Sequence, residues 1–254
     1  MTDPVTVGTS KIAPILRSSS RDAVIASAAM VVADLDQTLA FTKHAHMALI
    51  HSFMRGLNTD IPDESISQRY SELRGRAYSD ILEGMRDLHN ARSVSQISSD
   101  DFKRSFFEFS RQYKVDSDAE RAIEIGGARE LLLTVRQMGT PLIVCTGSPR
   151  PLAERFLAEA GVADLVESRN LYCWGDTEYS KADAEFWVPI LDGIDRQNVI
   201  ALDDHPHSAE YLLKVAKVGA AFVLPSVGTE KFRDLESEFP GRIVIIEKSW
   251  ANWS

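Results

Sequence analysis

The amino-acid sequence predicts an α/β fold, a doubly wound parallel sheet with an inserted all-helical subdomain. Short apolar runs at residues 29–35, 141–145, 198–202, 219–224 and 242–246 read as buried strands. Helical patterns at 128–138, 151–160, 182–191 and 208–216 separate most of them, and this alternation implies parallel strands covered on both faces. The interval 41–125 breaks the rhythm, because its apolar residues recur at helical spacing with no convincing β run between them.

Composition bounds the partners. The 254 residues carry 28 Lys and Arg against 37 Asp and Glu, a net charge of −9, so nucleic acid is not an expected partner. Hydrophobic residues at 44% and charged residues at 26% match globular usage and disfavour global disorder. Two cysteines give no disulfide framework, and a cytoplasmic location is expected. No apolar stretch approaches the ~20 residues that span a bilayer, so a membrane is not an expected partner either. A basic stretch at 11–21 followed by apolar residues 23–33 has the outline of a leader. Cleavage after Ala33 would destroy the strongest motif in the chain, and a leader is not expected.

In chain order, residues 1–25 read as a flexible extension, 26–40 and 126–254 as the α/β core, and 41–125 as the helical insertion. Within the insertion, Met47, Ile50, Met54 and Leu57, then Ile81, Leu82, Met85 and Leu88, then Phe102, Phe106, Phe107 and Phe109 suggest three or four helices. The phenylalanines are expected to form the insertion's own core. Residues 249–254 are read as a frayed end or an interface, and Trp174, Trp187, Trp250 and Trp253 carry no assignable pattern.

The informative segment is Asp34-Leu35-Asp36-Gln37-Thr38, directly after the first strand. Ligands of open parallel sheets bind at the carboxyl ends of the strands, so Asp34 faces the expected crevice, and a turn after it can bring Asp36 back over the same place. Two close carboxylates invite a cation or an acid/base division of labour. The second core strand ends at Thr146-Gly147-Ser148, a hydroxyl and Gly-permitted N–H groups suited to a phosphate oxygen. The next apolar strand ends at Asp203-Asp204, hard oxygen ligands of the kind Mg²⁺ prefers. Between these two, Lys181 opens a helix within reach of the crevice. Each feature alone has an ordinary structural reading, as a capped turn or a solvated side chain; together they form one ordered set.

That set resembles the four motifs of the haloacid dehalogenase-like hydrolases, in order and at typical spacing, over residues 27 to 225. The resemblance implies a Rossmann-like core, with the insertion as the family's C1 cap. It implies Asp34 as nucleophile, Asp36 as general acid/base, and Thr146, Gly147 and Ser148 as phosphoryl-binding residues. Lys181 would offset charge, and Mg²⁺ would be held by Asp34, the Asp36 carbonyl and Asp204, with Asp203 ligating or orienting. Asp36 favours phosphoryl chemistry over dehalogenation, since the family's dehalogenases lack it. The implied activity is a Mg²⁺-dependent phosphatase acting on a small phosphorylated metabolite through an aspartyl-phosphate.

Four positions depart from the family pattern. Gln37 stands where Gly is frequent, Ala182 follows Lys181 in place of Pro, Asp203 precedes Asp204 in place of Gly, and Ser208 stands where an acidic residue or Asn is common. Substrate choice is expected in the cap loop 73–78, where Arg76 and then Arg74 are candidates for the leaving group. His44 or Lys43 is expected to line the cleft, and His205 and His207 to flank it. A phosphomutase resembling β-phosphoglucomutase would use the same residues. A phosphoryl-binding protein without turnover is the alternative from another class, and the intact motif set argues against it. Oligomeric state is not legible.

Overall fold

The computed structural model describes residues 20–57, 60–73, 78–115, 117–226 and 228–253. Among the described residues eight strands form: β1 (Met30–Ala33), β2 (Ala40–Phe41), β3 (Ile123–Glu124), β4 (Leu142–Pro149), β5 (Leu171–Trp174), β6 (Val199–Asp203), β7 (Ala220–Val223) and β8 (Ile243–Ile245). The helices are α1 (Arg21–Ser27), α2 (Lys43–Gly56), α3 (Asp63–Leu73), α4 (Tyr78–Asn90), α5 (Ser99–Gln112), α6 (Ala128–Gln137), α7 (Arg150–Glu159), α8 (Ala184–Ile190), α9 (Pro206–Lys214) and α10 (Glu230–Glu238).

The Met-Val-Val-Ala of β1 is buried at every position, as a strand covered on both faces requires. It lies between β4 and β6 in a six-stranded sheet of order β5-β4-β1-β6-β7-β8, and every pairing is parallel. The chain builds outward through β4 to β5, then crosses back over β1 to begin β6. The carboxyl end of β1 is therefore the switch point where neighbouring connections diverge and leave a crevice.

Alternation along the strands divides the core in two. Val31, Ala33, Val144, Ile200, Leu202 and Phe222 face one cluster, shared with α1, α6 and α7. Val32, Ile143, Cys145, Ala201 and Val223 face the other, shared with α8, α9 and α10. The first cluster continues into the inserted helices α2 to α5, so the insertion packs as an extension of one face of the core. Its own centre is Phe53, whose ring meets Phe102 and Phe106 edge-on at 5.2 Å. The two linkers joining insertion to core pair as a short antiparallel ribbon, Ala40 opposite Glu124 and Phe41 opposite Ile123.

The structure differs from the sequence expectations at several elements. Helix α1 begins inside the stretch assigned to the extension, because Val24 and Ile25 find full burial against the core. Strand β5 is four residues long at a sheet edge, and α10 buries only Phe232 and Leu235, so neither carried a legible period. Thr146, Gly147 and Ser148 belong to the end of β4, which runs on to Pro149 with a register shift, rather than to a helix-start loop. Lys181 lies in a turn before α8 instead of opening it. The end of the chain is not frayed where it is described: Trp250 is fully buried and Trp253 nearly so.

Candidate functional site

Asp34 is the first residue beyond β1, and its N–H donates to the Leu202 carbonyl at 2.9 Å, which aligns it with β6. The chain then folds sharply: the N–H groups of Thr38, Leu39 and Ala40 all converge on the Leu35 carbonyl. Gln37 takes a left-handed φ of 64°, which explains why glycine suits this position and marks local strain in this chain. The turn returns Asp36 over the same crevice.

The two carboxylates have different surroundings. Asp34 is buried, with Lys181 Nζ donating to Oδ1 at 2.5 Å and Thr38 Oγ1 to Oδ2 at 3.2 Å. Burial pushes the Asp34 carboxyl up to about 7; Lys181 opposes that shift, and the charges of Asp203 and Asp36 reinforce it. The Lys181 ammonium is itself desolvated, yet Asp34 and Asp203 hold its proton more tightly than in an ordinary lysine. Both partners are thus raised, Asp34 chiefly by burial and Lys181 by the carboxylates around it.

Asp36 accepts from four side chains. Thr42 Oγ1 (2.7 Å) and His46 Nε2 (2.9 Å) meet Oδ1, and Thr146 Oγ1 (2.6 Å) and Ser148 Oγ (2.9 Å) meet Oδ2. Burial alone would raise its proton affinity. The bonds from His46, Thr146 and Thr42 win, and hold the carboxyl well below the usual range.

Beside Asp34 lie Asp203 and Asp204, and the three residues offer carboxylate oxygens within 4.8 Å of one another. Asp203 is engaged locally: Oδ1 accepts from the N–H groups of Asp204 and His205, and Oδ2 from Ser208 Oγ at 2.5 Å. Burial and the neighbouring charges of Asp203 and Asp34 push the Asp204 carboxyl well above its ordinary value. Buried, crowded carboxylates with raised proton affinity are what a hard divalent cation would relieve, so the donor set fits Mg²⁺.

These groups open onto a cavity of about 220 Å³ between core and cap. Tyr70, Tyr78 and Ile81 of the cap and Trp174, Tyr179 and Phe186 of the core form much of its wall. Of the residues singled out from sequence, the crevice gathers Asp34, Asp36, Thr146, Gly147, Ser148, Lys181, Asp203 and Asp204, with Lys43 and His205 on the wall. Thr146 and Ser148 turn toward Asp36 here. His44 is not in the cleft; it stacks on Phe41 and bonds the Arg121 carbonyl in the opposite linker. His207 is largely exposed beside Glu210. Arg74 and Arg76 lie outside the described residues.

Sequence reading missed His46 and Thr42. The available signal was their spacing of one helical turn across the start of α2, which sets both on the face toward Asp36.

A parallel sheet with a carboxylate-rich crevice at its switch point and a helical cap above it defines a capped α/β enzyme. The sequence model of the haloacid dehalogenase-like hydrolases matches residues 31–213, and the chain belongs to that family. A predicted phosphoglycolate phosphatase from Haemophilus somnus superposes with a TM-score of 0.64 at 14% identity, covering 89% of this chain and 96% of that one. A CbbY variant from Rhodobacter sphaeroides, solved with xylulose-(1,5)bisphosphate, gives 0.62 at 16% identity, covering 89% and 99%. A candidate β-phosphoglucomutase from Thermotoga maritima gives 0.61 at 18%, covering 86% and 94%. No curated protein matches the sequence. Among the described residues, no helix is long and apolar enough to cross a membrane.

Proposed function

We propose that the protein is a Mg²⁺-dependent phosphohydrolase that releases phosphate from a small phosphorylated metabolite through an aspartyl-phosphate on Asp34. The observation that carries this reading is the fixing of both Asp34 carboxylate oxygens, by Lys181 and Thr38, beside Asp203 and Asp204 and under the returning Asp36. A nucleophile oriented in this way loses little freedom on attack.

Asp34 attacks phosphorus, the bond to the leaving oxygen breaks, and Asp36 gives that oxygen its proton. Water then attacks the phosphorus of the aspartyl-phosphate, Asp36 takes the proton, and Asp34 and inorganic phosphate are regenerated. Lys181 offsets the negative charge gathered around Asp34, and Thr146, Gly147 and Ser148 bind phosphoryl oxygens. Asp34, Asp204 and the Asp36 carbonyl are the proposed metal ligands; Asp203, occupied by the N–H groups of Asp204 and His205 and by Ser208 of α9, orients the turn between β6 and α9. When bound, Mg²⁺ supplies positive charge that keeps the carboxylates ionised and polarises the phosphoryl group. The four donors on Asp36 favour its ionised form, so the acid step calls for some of them to let go. Thr42 lies on a cap linker and His46 on the cap, which makes cap displacement the motion that frees it.

The leaving group sits against Tyr70, Tyr78 and Trp174, and Arg76 is proposed as its polar contact on sequence grounds alone. A phosphomutase is the second reading, favoured by the cap side chain of His46 lying directly on Asp36, where it would compete with water. The test is phosphate release from a panel of small phosphate monoesters, with and without Mg²⁺ and with Asp34→Asn as control. Release dependent on both supports hydrolysis; release that survives Asp34→Asn overturns it. Interconversion of sugar phosphates without net release identifies the mutase.

A further inference from the structure

The end of the chain, which the proposed mechanism does not use, reaches into the turn behind the crevice. Trp250 is fully buried, and its indole Nε1 donates to the Thr38 carbonyl at 2.6 Å. Its backbone N–H donates to the Gly126 carbonyl at 2.9 Å. One residue thereby grips the chain on its way into the cap and again on its way out. The grip has a firm base: Trp253 stacks on Phe222 of β7 at 4.1 Å, and Gly127, at φ 81°, lets the backbone of Ala251 approach to where a Cβ would lie 2.4 Å from its nitrogen.

Thr38 is the residue whose hydroxyl donates to Oδ2 of Asp34. We propose that Trp250 is a positioning residue for Asp34, acting through Thr38. This rests on the reading of Asp34 as nucleophile given above.

The physical case is a matter of constraint. Thr38 sits in a turn closed by the N–H groups of Thr38, Leu39 and Ala40 on the Leu35 carbonyl and by the Gln37 N–H on the Ala40 carbonyl, bonds that set the turn's closure but leave the Thr38 carbonyl to another donor. An indole N–H is a donor with a single direction, and a buried carbonyl deprived of it is left unsatisfied. The peptide plane that carries the carbonyl is coupled to the Thr38 side chain. Releasing it therefore loosens the hydroxyl that defines Oδ2, while Lys181 still defines Oδ1. A carboxylate held at one oxygen only can swing off the line of attack, which slows the chemical step. Substrate binding is spared, because neither Trp250 nor Thr38 is among the described residues lining the cavity.

The test is steady-state kinetics on the full chain with Mg²⁺ and the best monoester of the panel, comparing wild type, Trp250→Phe, Thr38→Val, the double variant, and Trp253→Phe. Trp253→Phe serves as control, since it keeps a ring on Phe222 and leaves the Trp250 bond intact. Expected is a fall in kcat of about tenfold for Trp250→Phe, the rate equivalent of one hydrogen bond, with KM within about twofold. Thr38→Val gives the same fall, the double variant falls no further than the worse single one, and Trp253→Phe keeps the wild-type kcat. The proposal is overturned if Trp250→Phe turns over like wild type, if Trp253→Phe falls equally, or if the two losses multiply in the double variant. Should Trp250→Phe not fold, a wild-type kcat in Thr38→Val overturns it by itself. Absence of Asp34-dependent release in the wild type is a different result, and refutes the functional reading on which the proposal stands.

Discussion

Nε2 of His46, on the first cap helix, lies 2.9 Å from Oδ1 of Asp36, on the core. An ionised carboxylate only accepts, so Nε2 carries the proton of this bond, and the opposite ring nitrogen faces the Tyr78 hydroxyl at 3.5 Å. Burial pushes the Tyr78 phenol well above its ordinary range, which keeps it a hydrogen-bond donor. A chain of polar groups thus runs from the cap to the proposed acid/base. His46→Ala, which removes one of the donors that hold Asp36 ionised, is expected to raise the proton affinity of Asp36 and move the pH profile of kcat to higher pH. An unchanged profile in steady-state assays would separate His46 from the chemistry.

Asp34→Asn is expected to lose at least about a thousandfold in turnover while keeping its far-UV circular dichroism. Asp36→Asn should impair both half-reactions or accumulate the aspartyl-phosphate, read by intact-protein mass spectrometry after rapid quench. Unchanged steady-state and single-turnover rates in Asp36→Asn would remove its acid/base role.

Metal binding should appear as stability. Adding Mg²⁺ to chelator-treated protein is expected to raise Tm, since a ligand at a hundredfold excess over its Kd contributes about 2.7 kcal/mol. The sign of the pH dependence follows from Asp34. The folded chain holds its proton more tightly than the unfolded chain, at about 7 against 3.8, so metal-free stability declines as pH rises through that window. Mg²⁺ must displace that proton, and the Tm gain is therefore larger above the window than inside it. Asp204→Asn should remove most of the gain; a Tm indifferent to Mg²⁺ in the wild type would count against the metal site.

Cys145 and Cys173 are free and buried. Burial pushes the Cys173 thiol up to about 12, with Asp176 adding to the shift, and burial raises Cys145 further still. Thiolate being the reactive form, alkylation of the native protein by iodoacetamide at neutral pH should be about a thousandfold slower than in denaturant. Rapid native labelling would show that these strands open.

Gly127 precedes α6 at φ 81°, and an added Cβ would lie 2.4 Å from the backbone nitrogen of Ala251. Gly127→Ala is expected to cost about 2–3 kcal/mol in chemical denaturation, from the left-handed backbone and the displaced tail together. A loss below about 0.5 kcal/mol would mean that the tail yields without consequence.

The strand-end motifs were legible in the sequence because each is local. An apolar run that stops at Asp34, at Thr146 or at Asp203 and Asp204 states its own place at the carboxyl edge of a parallel sheet. A helical period without β runs likewise announces the cap. Strand β5 and helix α10 were not legible, since an edge strand of four residues and a helix with two buried side chains leave almost no period to read. What the sequence by itself determined was the fold class and the motif residues at the strand ends, from Asp34 and Asp36 to Asp203 and Asp204, that line the crevice. Only the tertiary structure decided how they divide the work: that Asp34 answers to Lys181 and Thr38, that Asp36 answers to Thr42, His46, Thr146 and Ser148, and that Trp250 reaches back to Thr38 from the far end of the chain. Such pairings join residues from separate elements, and packing, rather than any local period, selects which donor meets which acceptor.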